Sequence, residues 1–236
     1  MNSLKFGKIE RLWRYPVKSL LGESCQQLSV DWRGVAGDRW YAIRDNRGKF
    51  ASGKNTRRFC KIKNLFDFQA QYDEAVPLIM FPDSRVVRGN DPSIDRELSN
   101  ALEQPVTLVE EKQISHFDAE SLHIITTASL RWLKSLLPQS IIDERRFRPN
   151  LLIDVPGEGL TEHNWRGKRL LIGDELEIEI TELTERCIMT TLRQQQLPQD
   201  SQIMKTISKN LQHNFGIYAK VVKTGMVQIG DRIMIR

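Results

Sequence analysis

The segment ELEIEITELT, residues 175–184, alternates apolar and polar side chains over ten positions. An alternation of this length is typical of a β-strand with one buried face. Comparable apolar segments occupy residues 150–154, 168–173, 218–224 and 231–236. The second half of the chain is therefore predicted to be mainly β.

The first half shows the same kind of pattern in shorter pieces. Between residues 5 and 89, brief apolar alternations are separated by glycines, which is typical of antiparallel strands. Asn46-Arg47-Gly48 predicts a hairpin turn, because glycine supplies the positive φ that such turns need.

Three segments have the apolar spacing of helices instead. They are residues 94–104, closed by Pro105, about 128–137, closed by Pro138, and 201–214. We therefore expect a mainly β protein with a few helices. Its two sections, residues 1–112 and 113–236, are predicted to pack closely.

Composition limits the cellular setting. Cys25, Cys60 and Cys187 are an odd number of widely spaced cysteines, which fits a reducing compartment better than a disulfide framework. The first eighteen residues alternate charged and apolar groups, so no signal peptide is expected, and no apolar run approaches a membrane-spanning length. We expect a cytoplasmic protein with no membrane partner.

Charge and missing motifs narrow the class of ligand. A net charge of +5 suits an anionic ligand, but the cations are dispersed and form no recognisable nucleic-acid module, so nucleic acid is not the expected partner. The sequence lacks the glycine-rich phosphate loop, the dinucleotide fingerprint, HExxH and CxxC. Phosphate-loop hydrolysis, Rossmann-type cofactor binding and zinc chemistry are therefore not predicted.

Cys187 is the best candidate for a reactive group. It follows the alternating segment directly, and the neighbouring Arg186 favours the thiolate, which is the form that binds metals. Inert packing is the alternative, since free cysteines are often buried as small hydrophobes. The local sequence leaves both interpretations open.

Several cations beside turns are candidates for binding an anion. Lys18 and Ser19 follow the rigid Pro16, Arg39 begins a predicted strand, and Arg148 precedes Pro149. Charge-assisted hydrogen bonds from such groups recognise phosphate and carboxylate. Each has a structural alternative: a solvated loop lysine for Lys18, a pair with Asp38 for Arg39, and a pair with Asp154 or Glu158 for Arg148.

Together these motifs resemble a known family. In chain order they are YPVKS at 15–19, GDRW at 37–40, RFRPN at 146–150, EHNW at 162–165, Arg186-Cys187 followed by two threonines, FGIYAKV at 215–221 and GDRI at 230–233. This order, over nearly the whole chain, is similar to the MOSC superfamily. It most resembles the branch with an N-terminal β-barrel domain, which includes the mitochondrial amidoxime-reducing component and bacterial N-hydroxylated-base reductases.

The resemblance implies a smaller N-terminal β-barrel domain of residues 1–112 and a MOSC β-barrel domain of residues 113–236. It also implies a molybdenum cofactor, of the molybdopterin type, bound between the two domains. Cys187 would give its thiolate to the metal. The remaining roles implied are contacts to the cofactor's phosphate and pterin by Lys18, Ser19, Arg39 and Arg148, support of the loop by Asn150, and closure of the pocket by Tyr218. A helix capped at Thr126 or Thr127 would add backbone N–H donors.

The activity implied is reduction of N-hydroxylated or N-oxide compounds. Electrons are expected from a separate ferredoxin, flavoprotein or cytochrome, because three scattered cysteines do not match the spacing of an iron–sulfur cluster. The alternative is a non-catalytic carrier that holds the cofactor, or a sulfur atom on Cys187. Relatives follow the threonines with a Val-Asp-Pro-Asp-like run, whereas residues 192–196 read LRQQQ, and FASGKNTRR at 50–58 also differs. These departures predict a shifted substrate preference or the carrier role.

Overall fold

A computed structural model describes residues 5–236 of the chain. Residues 1–4, which the first predicted domain includes, lie outside this range. The strands in chain order are β1 (Lys5–Arg14), β2 (Val17–Lys18), β3 (Glu23–Cys25), β4 (Gln27–Asp31), β5 (Gly34–Val35), β6 (Tyr41–Asp45), β7 (Phe50–Ser52), β8 (Phe59–Lys61), β9 (Gln69–Asp73), β10 (Val76–Met80), β11 (Val86–Arg88), β12 (Val106–Glu110), β13 (Leu122–Thr126), β14 (Leu151–Asp154), β15 (Arg169–Ile172), β16 (Leu176–Glu185), β17 (Asn214–Lys223), β18 (Gly225–Gln228) and β19 (Arg232–Ile235).

The helices are fewer than the strands. They are α1 (Ile94–Ala101), α2 (Thr127–Leu136) and α3 (Ser201–Leu211), with 3-10 turns at Leu65–Asp67, Glu144–Arg146, Thr161–Trp165 and Ile188–Thr191. All three α-helices lie where the apolar spacing predicted them, and the mainly β fold class is confirmed.

The largest sheet closes into a barrel. Its strands follow the order β14-β13-β17-β16-β15-β19-β1-β3, and β1 also pairs with β14, which joins the two ends of the seven-stranded ring. The alternating segment at residues 175–184 forms most of β16, and its apolar Leu176, Ile178 and Ile180 are buried in the barrel core. The opposite positions, such as Glu177 and Glu179, are partly exposed.

Strand pairing joins the two ends of the chain. In β1, Ile9 pairs with Ile153 of β14, while Gly7 pairs with Ile233 of β19. In the same way β18 pairs with β4, which brings residues 225–228 against residues 27–30. The proposed boundary near residue 112 stays a prediction, and this pairing places strands from the first 35 residues in or against the barrel.

The remaining N-terminal strands form a smaller β unit with its own core. One sheet has the order β12-β6-β7-β8 with β2 beside β6, and another has the order β11-β10-β9. Buried Phe68, Ile79, Leu98 and Val106 share one apolar cluster, so α1 packs against these strands. As predicted, the turn at 46–48 connects β6 and β7, and Gly48 has φ +77°.

A third apolar cluster lies outside the barrel. It contains Leu133 of α2, Ile203 and Ile207 of α3, and Phe147 and Phe215 beside the barrel wall. In residues 5–236, the helices are too short or too polar to cross a bilayer.

Removing part of Ile9 tests whether β1 is an integral barrel strand. The Ile9 side chain is only 1% exposed in the barrel core. Truncation of a buried aliphatic side chain leaves a cavity, so Ile9→Ala is expected to lower the free energy of unfolding by about 2–5 kcal/mol. Denaturant titration measures the change. Val86→Ala, at a side chain 54% exposed, is the control, and equal effects of the two substitutions would contradict the account.

A cationic cavity around Cys187

A cavity lies where the N-terminal β unit meets the barrel, and we call it the Cys187 cavity. It measures about 100 Å³. The N-terminal side contributes Lys18, Ser19, Arg39, Ser52, Lys54, Phe59 and Asp118, and the barrel side contributes His123, Phe147, Arg148, Glu185, Arg186, Cys187, Met189 and Tyr218.

Most of the residues that the sequence singled out meet here. The structure brings Cys187, Lys18, Ser19, Arg39, Arg148 and Tyr218 to the same cavity. Asn150 lies behind the wall. Its backbone N–H donates to the carbonyl of His123 at 2.7 Å, and its side-chain oxygen accepts from the N–H of His123 at 3.1 Å. Asn150 therefore ties β14 to β13 and supports the wall.

The Cys187 thiol is held at the end of β16. The side chain is half-buried and free. The carbonyl of Cys187 accepts hydrogen bonds from the backbone N–H of Thr190 at 3.1 Å and from its hydroxyl at 3.0 Å. The two threonines after the cysteine thus fix the turn, and Thr190 and Thr191 are themselves buried.

Two arginines stack on one buried tyrosine. The guanidinium carbons of Arg148 and Arg39 lie 4.1 and 5.0 Å from the ring centroid of Tyr15. Burial lowers the pKa of Arg148 to about 10. For Arg39, burial also acts to lower the pKa, but Asp38 and Tyr15 outweigh it and the pKa is raised. Both arginines are therefore charged at neutral pH.

Backbone conformation is unusual at three residues that line the cavity. Ser19, Arg39 and Arg148 have φ values of 68°, 52° and 56°, in the left-handed region that residues other than glycine rarely adopt. Such conformations cost free energy and concentrate at sites where the fold must aim a group. Their convergence on one cavity is a feature that local sequence patterns did not reveal.

His123 and Arg186 form the wall next to the cysteine. His123 Nδ1 lies 3.2 Å from the carbonyl of Arg148, and Arg186 Nη1 lies 3.2 Å from His123 Nε2. The carbonyl requires a proton on Nδ1, so Nε2 accepts from the arginine and the ring is neutral. Burial, with Arg186 beside it, lowers the pKa of His123 well below its ordinary value.

Close packing against His123 requires a glycine on the neighbouring strand. Gly216 has φ +86°, and a Cβ there would lie 2.8 Å from His123 Nε2. On the other side, Arg186 Nη2 donates to the carbonyl of Phe147 at 2.6 Å. Arg186 therefore donates a hydrogen bond within the wall and also lines the cavity.

A surface segment, residues 111–121, contributes Asp118 to the lining of the cavity, and we call it the strap. Lys18 Nζ donates to the carbonyl of His116 at 2.6 Å and to Asp118 Oδ1 at 2.7 Å. Arg33 holds Glu111 through two bonds of 2.8 and 2.9 Å, and Arg58 donates to the carbonyl of Phe117 at 2.7 Å. The Asp118 carboxylate therefore binds the buried Lys18 in the way that an anionic ligand would.

Local sequence reasoning missed Asp118, His123, Ser52 and Lys54 as cavity residues. The strap carries no periodic pattern that would indicate a role for Asp118. A histidine inside a buried strand, such as His123, is typical of a core residue. The predicted donors at the start of α2 lie elsewhere, because the lining of the cavity includes neither Thr126 nor Thr127 among the residues described. The Glu162 carboxylate accepts from the hydroxyls of Thr126 at 2.7 Å and Ser129 at 2.6 Å. Glu162, the first residue of the EHNW segment, thus has a structural role.

Neutralising Asp118 tests the contact between the strap and Lys18. Burial lowers the pKa of Lys18 to about 8, and Asp118 is the main group that opposes this shift. Asp118→Asn is therefore expected to lower the pKa of Lys18 further, measured by NMR titration of labelled lysine side chains. Asp83→Asn, which affects an exposed pair with Arg85, is the control.

The same shift predicts a pH dependence of stability. The unfolded chain binds the Lys18 proton up to pH 10.5, whereas the folded chain releases it near pH 8. Unfolding takes up a proton between these values, so the Lys18 contribution to stability rises with pH across this window.

For the Asp118→Asn titration, a Lys18 pKa that is the same in the wild type and in the variant would contradict the contact between the strap and Lys18.

Comparison with known proteins agrees with this architecture. The model of the MOSC N-terminal β-barrel domain matches residues 6–138, and the model of the MOSC domain matches residues 99–234. The two matches overlap at residues 99–138, so they do not fix one boundary. No curated protein matches the sequence significantly.

Two solved structures share the fold at low sequence identity. The YuaD protein of Bacillus subtilis is 14% identical with a TM-score of 0.55, over 97% of this chain and 94% of that one. A protein described only as hypothetical is 10% identical with a TM-score of 0.50, over 98% of this chain and 68% of that one. The MOSC domain is a family that binds molybdenum cofactor. The chain belongs to the MOSC family and carries the N-terminal β-barrel domain associated with it.

Proposed function

We propose that this chain holds a molybdenum cofactor in the Cys187 cavity and reduces N-hydroxylated or N-oxide compounds. The observation that supports this most strongly is one free thiol lining the same cavity as Lys18, Arg39, Arg148 and Arg186. A thiolate is a soft metal ligand, and clustered cations recognise phosphate.

Unused donors in the wall support an anionic ligand. Arg148 Nη2 and Arg186 Nε are buried and have no hydrogen-bond partner among the residues described. A buried donor without a partner costs about 1–3 kcal/mol, and more when the group is charged. An anionic cofactor group beside these nitrogens would remove that cost.

The donor set fits a metal that arrives with its own ligands. Residues 5–236 contain no group of three histidine, cysteine or carboxylate side chains placed to hold a metal ion. Cys187 would therefore be a single protein ligand, and the cofactor would supply the others. Lys18, Ser19, Arg39 and Arg148 would hold its phosphate and pterin, as the resemblance implies.

When bound, the cofactor would supply two-electron redox chemistry at the metal. The side chains of this chain would orient it and control protons. Burial raises the pKa of Tyr218, so its hydroxyl stays protonated and can donate a hydrogen bond into the cavity. Lys18, with a pKa of about 8, is mostly charged at neutral pH and neutralises negative charge.

A groove beside the cavity offers room for an organic substrate. It measures about 300 Å³ and shares Met189 with the Cys187 cavity. Ile62, Leu65 and Phe66 form part of its wall. This volume is at the lower end of small-molecule sites, which are predominantly apolar.

Reduction of an N–O bond to water consumes two electrons and two protons. We propose a separate ferredoxin, flavoprotein or cytochrome as the source of the electrons.

The cavity is small in the state described. A volume of about 100 Å³ is below the range for cofactor sites. Asp118 on Lys18 fills the place of an anion. Cofactor binding is therefore expected to displace the strap and replace the Asp118 carboxylate.

Metal content and turnover test the proposal together. Wild-type protein, produced with molybdenum cofactor available, is expected to contain stoichiometric molybdenum and to reduce benzamidoxime with a chemical electron donor. Cys187→Ala should lose turnover to background, while Cys25→Ala, at a cysteine outside the cavity, should behave as wild type. Equal turnover in all three proteins would contradict the assignment of Cys187. Bound cofactor without turnover in the wild type would identify the carrier role instead.

Lys18→Gln tests the anion site separately. Loss of one charge-assisted hydrogen bond is expected to weaken cofactor retention by about 2 kcal/mol, or roughly 30-fold. Cofactor released during dialysis measures this, with Lys205→Gln on the exposed face of α3 as the control. Retention that is unchanged in Lys18→Gln would remove Lys18 from the anion site.

A further inference from the structure

A second small cavity contains unused hydrogen-bonding groups, and we call it the Gln194 cavity. It measures about 100 Å³ and is lined by Trp13, Tyr15, Leu21, Gly22, Gln69, Arg145, Gln194, Gln195 and Leu197. Among described residues it shares no lining residue with the Cys187 cavity. Tyr15 links the two indirectly, because Arg39 and Arg148 of the Cys187 cavity stack on its ring.

The Gln194 amide is the unusual group in this cavity. Gln194 is only 2% exposed, and neither its Nε2 nor its Oε1 has a partner within residues 5–236. The indole Nε1 of Trp13 is likewise buried without a partner in the described chain. Burying an amide without hydrogen bonds is unfavourable, so these three atoms call for a ligand or for ordered water.

The other polar lining groups are already paired. Gln69 Nε2 donates to the carbonyl of Gly22 at 3.0 Å, and Gln195 Nε2 donates to Gln69 Oε1 at 3.1 Å. Arg145 binds the Asp143 carboxylate through bonds of 2.8 and 2.7 Å. The buried lining groups without a partner among the residues described are therefore the amide of Gln194 and the indole N–H of Trp13, and the one charged lining side chain, Arg145, is paired.

The turn that carries Gln194 is itself constrained. Gln194 and Leu197 exchange backbone hydrogen bonds of 2.9 and 2.7 Å, and Gln195 has φ 44° in the left-handed region. This turn begins within the run LRQQQ at residues 192–196. It places the neutral amide of Gln194 in the lining of the cavity.

We propose that the Gln194 cavity binds a small, neutral, planar molecule with a carboxamide-type edge. Its N–H would donate to Gln194 Oε1, and its oxygen would accept from Gln194 Nε2 or Trp13 Nε1. The aromatic side chains of Trp13 and Tyr15, with Leu21 and Leu197, suit an apolar body. The volume admits a ligand of a few heavy atoms or the head of a larger one, and about three waters would fill the same space.

Ligand-observed NMR titration tests this site with nicotinamide and acetamide as probes and acetate as the charged control. The wild type is expected to bind both amides with millimolar dissociation constants and to reject acetate. Gln194→Leu should weaken amide binding at least roughly tenfold, because its two hydrogen bonds are lost. Gln196→Leu, at an exposed position in the same run, should bind as the wild type does.

Stability gives a second readout. Replacing an unpartnered buried amide by an apolar side chain of similar size is expected to leave the Tm unchanged or to raise it. If Gln194→Leu does not fold, Trp13→Phe removes the indole donor and should also weaken amide binding. Binding of neither amide to the wild type, or equal binding to the wild type, Gln194→Leu and Trp13→Phe, would overturn the proposal and leave a water-filled cavity.

The titration is repeated on Cys187→Ala to separate this site from the proposed reductase. Amide binding that persists in Cys187→Ala supports a site that works without the thiol. Amide binding that disappears in Cys187→Ala would overturn the assignment to the Gln194 cavity, whatever the molybdenum content of the wild type.

Discussion

Closure of the barrel by β1 is the constraint on which the cavity depends. In β1, Leu12 pairs with Leu151, and the N–H of Trp13 donates to the carbonyl of Asn150 at 2.9 Å. This register fixes where the chain leaves the barrel, so Tyr15 and Lys18 emerge beside Arg148. Asn150 extends the tie to His123 on β13. Residues more than a hundred positions apart in sequence are thereby held around one cavity, and a slip of the register would separate them.

The cavity concentrates positive charge in a place where charge is expensive to bury. Five cationic side chains and two carboxylates line it. Burial of charge is tolerated when partners are fixed nearby. Here those partners include the fully buried Asp38 beside Arg39, the ring of Tyr15 and the strap carboxylate of Asp118. The excess of positive charge that remains is the physical reason to expect an anionic ligand.

The strap and the left-handed backbone positions give this site two opposed properties. Ser19, Arg39 and Arg148 are aimed by backbone conformations that the surrounding fold must enforce. Asp118, in contrast, belongs to the strap, and its side chain is 62% exposed. A cationic wall therefore faces an exposed internal anion, which is the arrangement expected of a site that exchanges one anion for another.

Sequence periodicity predicted the mainly β fold class and the three α-helices, because alternation and helical spacing report burial directly. The resemblance of short motifs predicted that Lys18, Arg39, Arg148 and Cys187 would meet. Local patterns could not show Asp118 on Lys18 or the neutral His123, since both depend on contacts between distant segments. Asn150, which the resemblance implied would support the loop, lies behind the wall, where its side-chain oxygen accepts from the N–H of His123.

The central claim is that the Cys187 sulfur is a metal ligand at the edge of a cationic cavity. X-ray absorption spectroscopy at the molybdenum edge, on protein purified with its cofactor, tests this most directly. The account predicts a sulfur neighbour in the wild type that is missing in Cys187→Ser, with oxygen taking its place. Identical spectra from the two proteins at equal molybdenum content would contradict it.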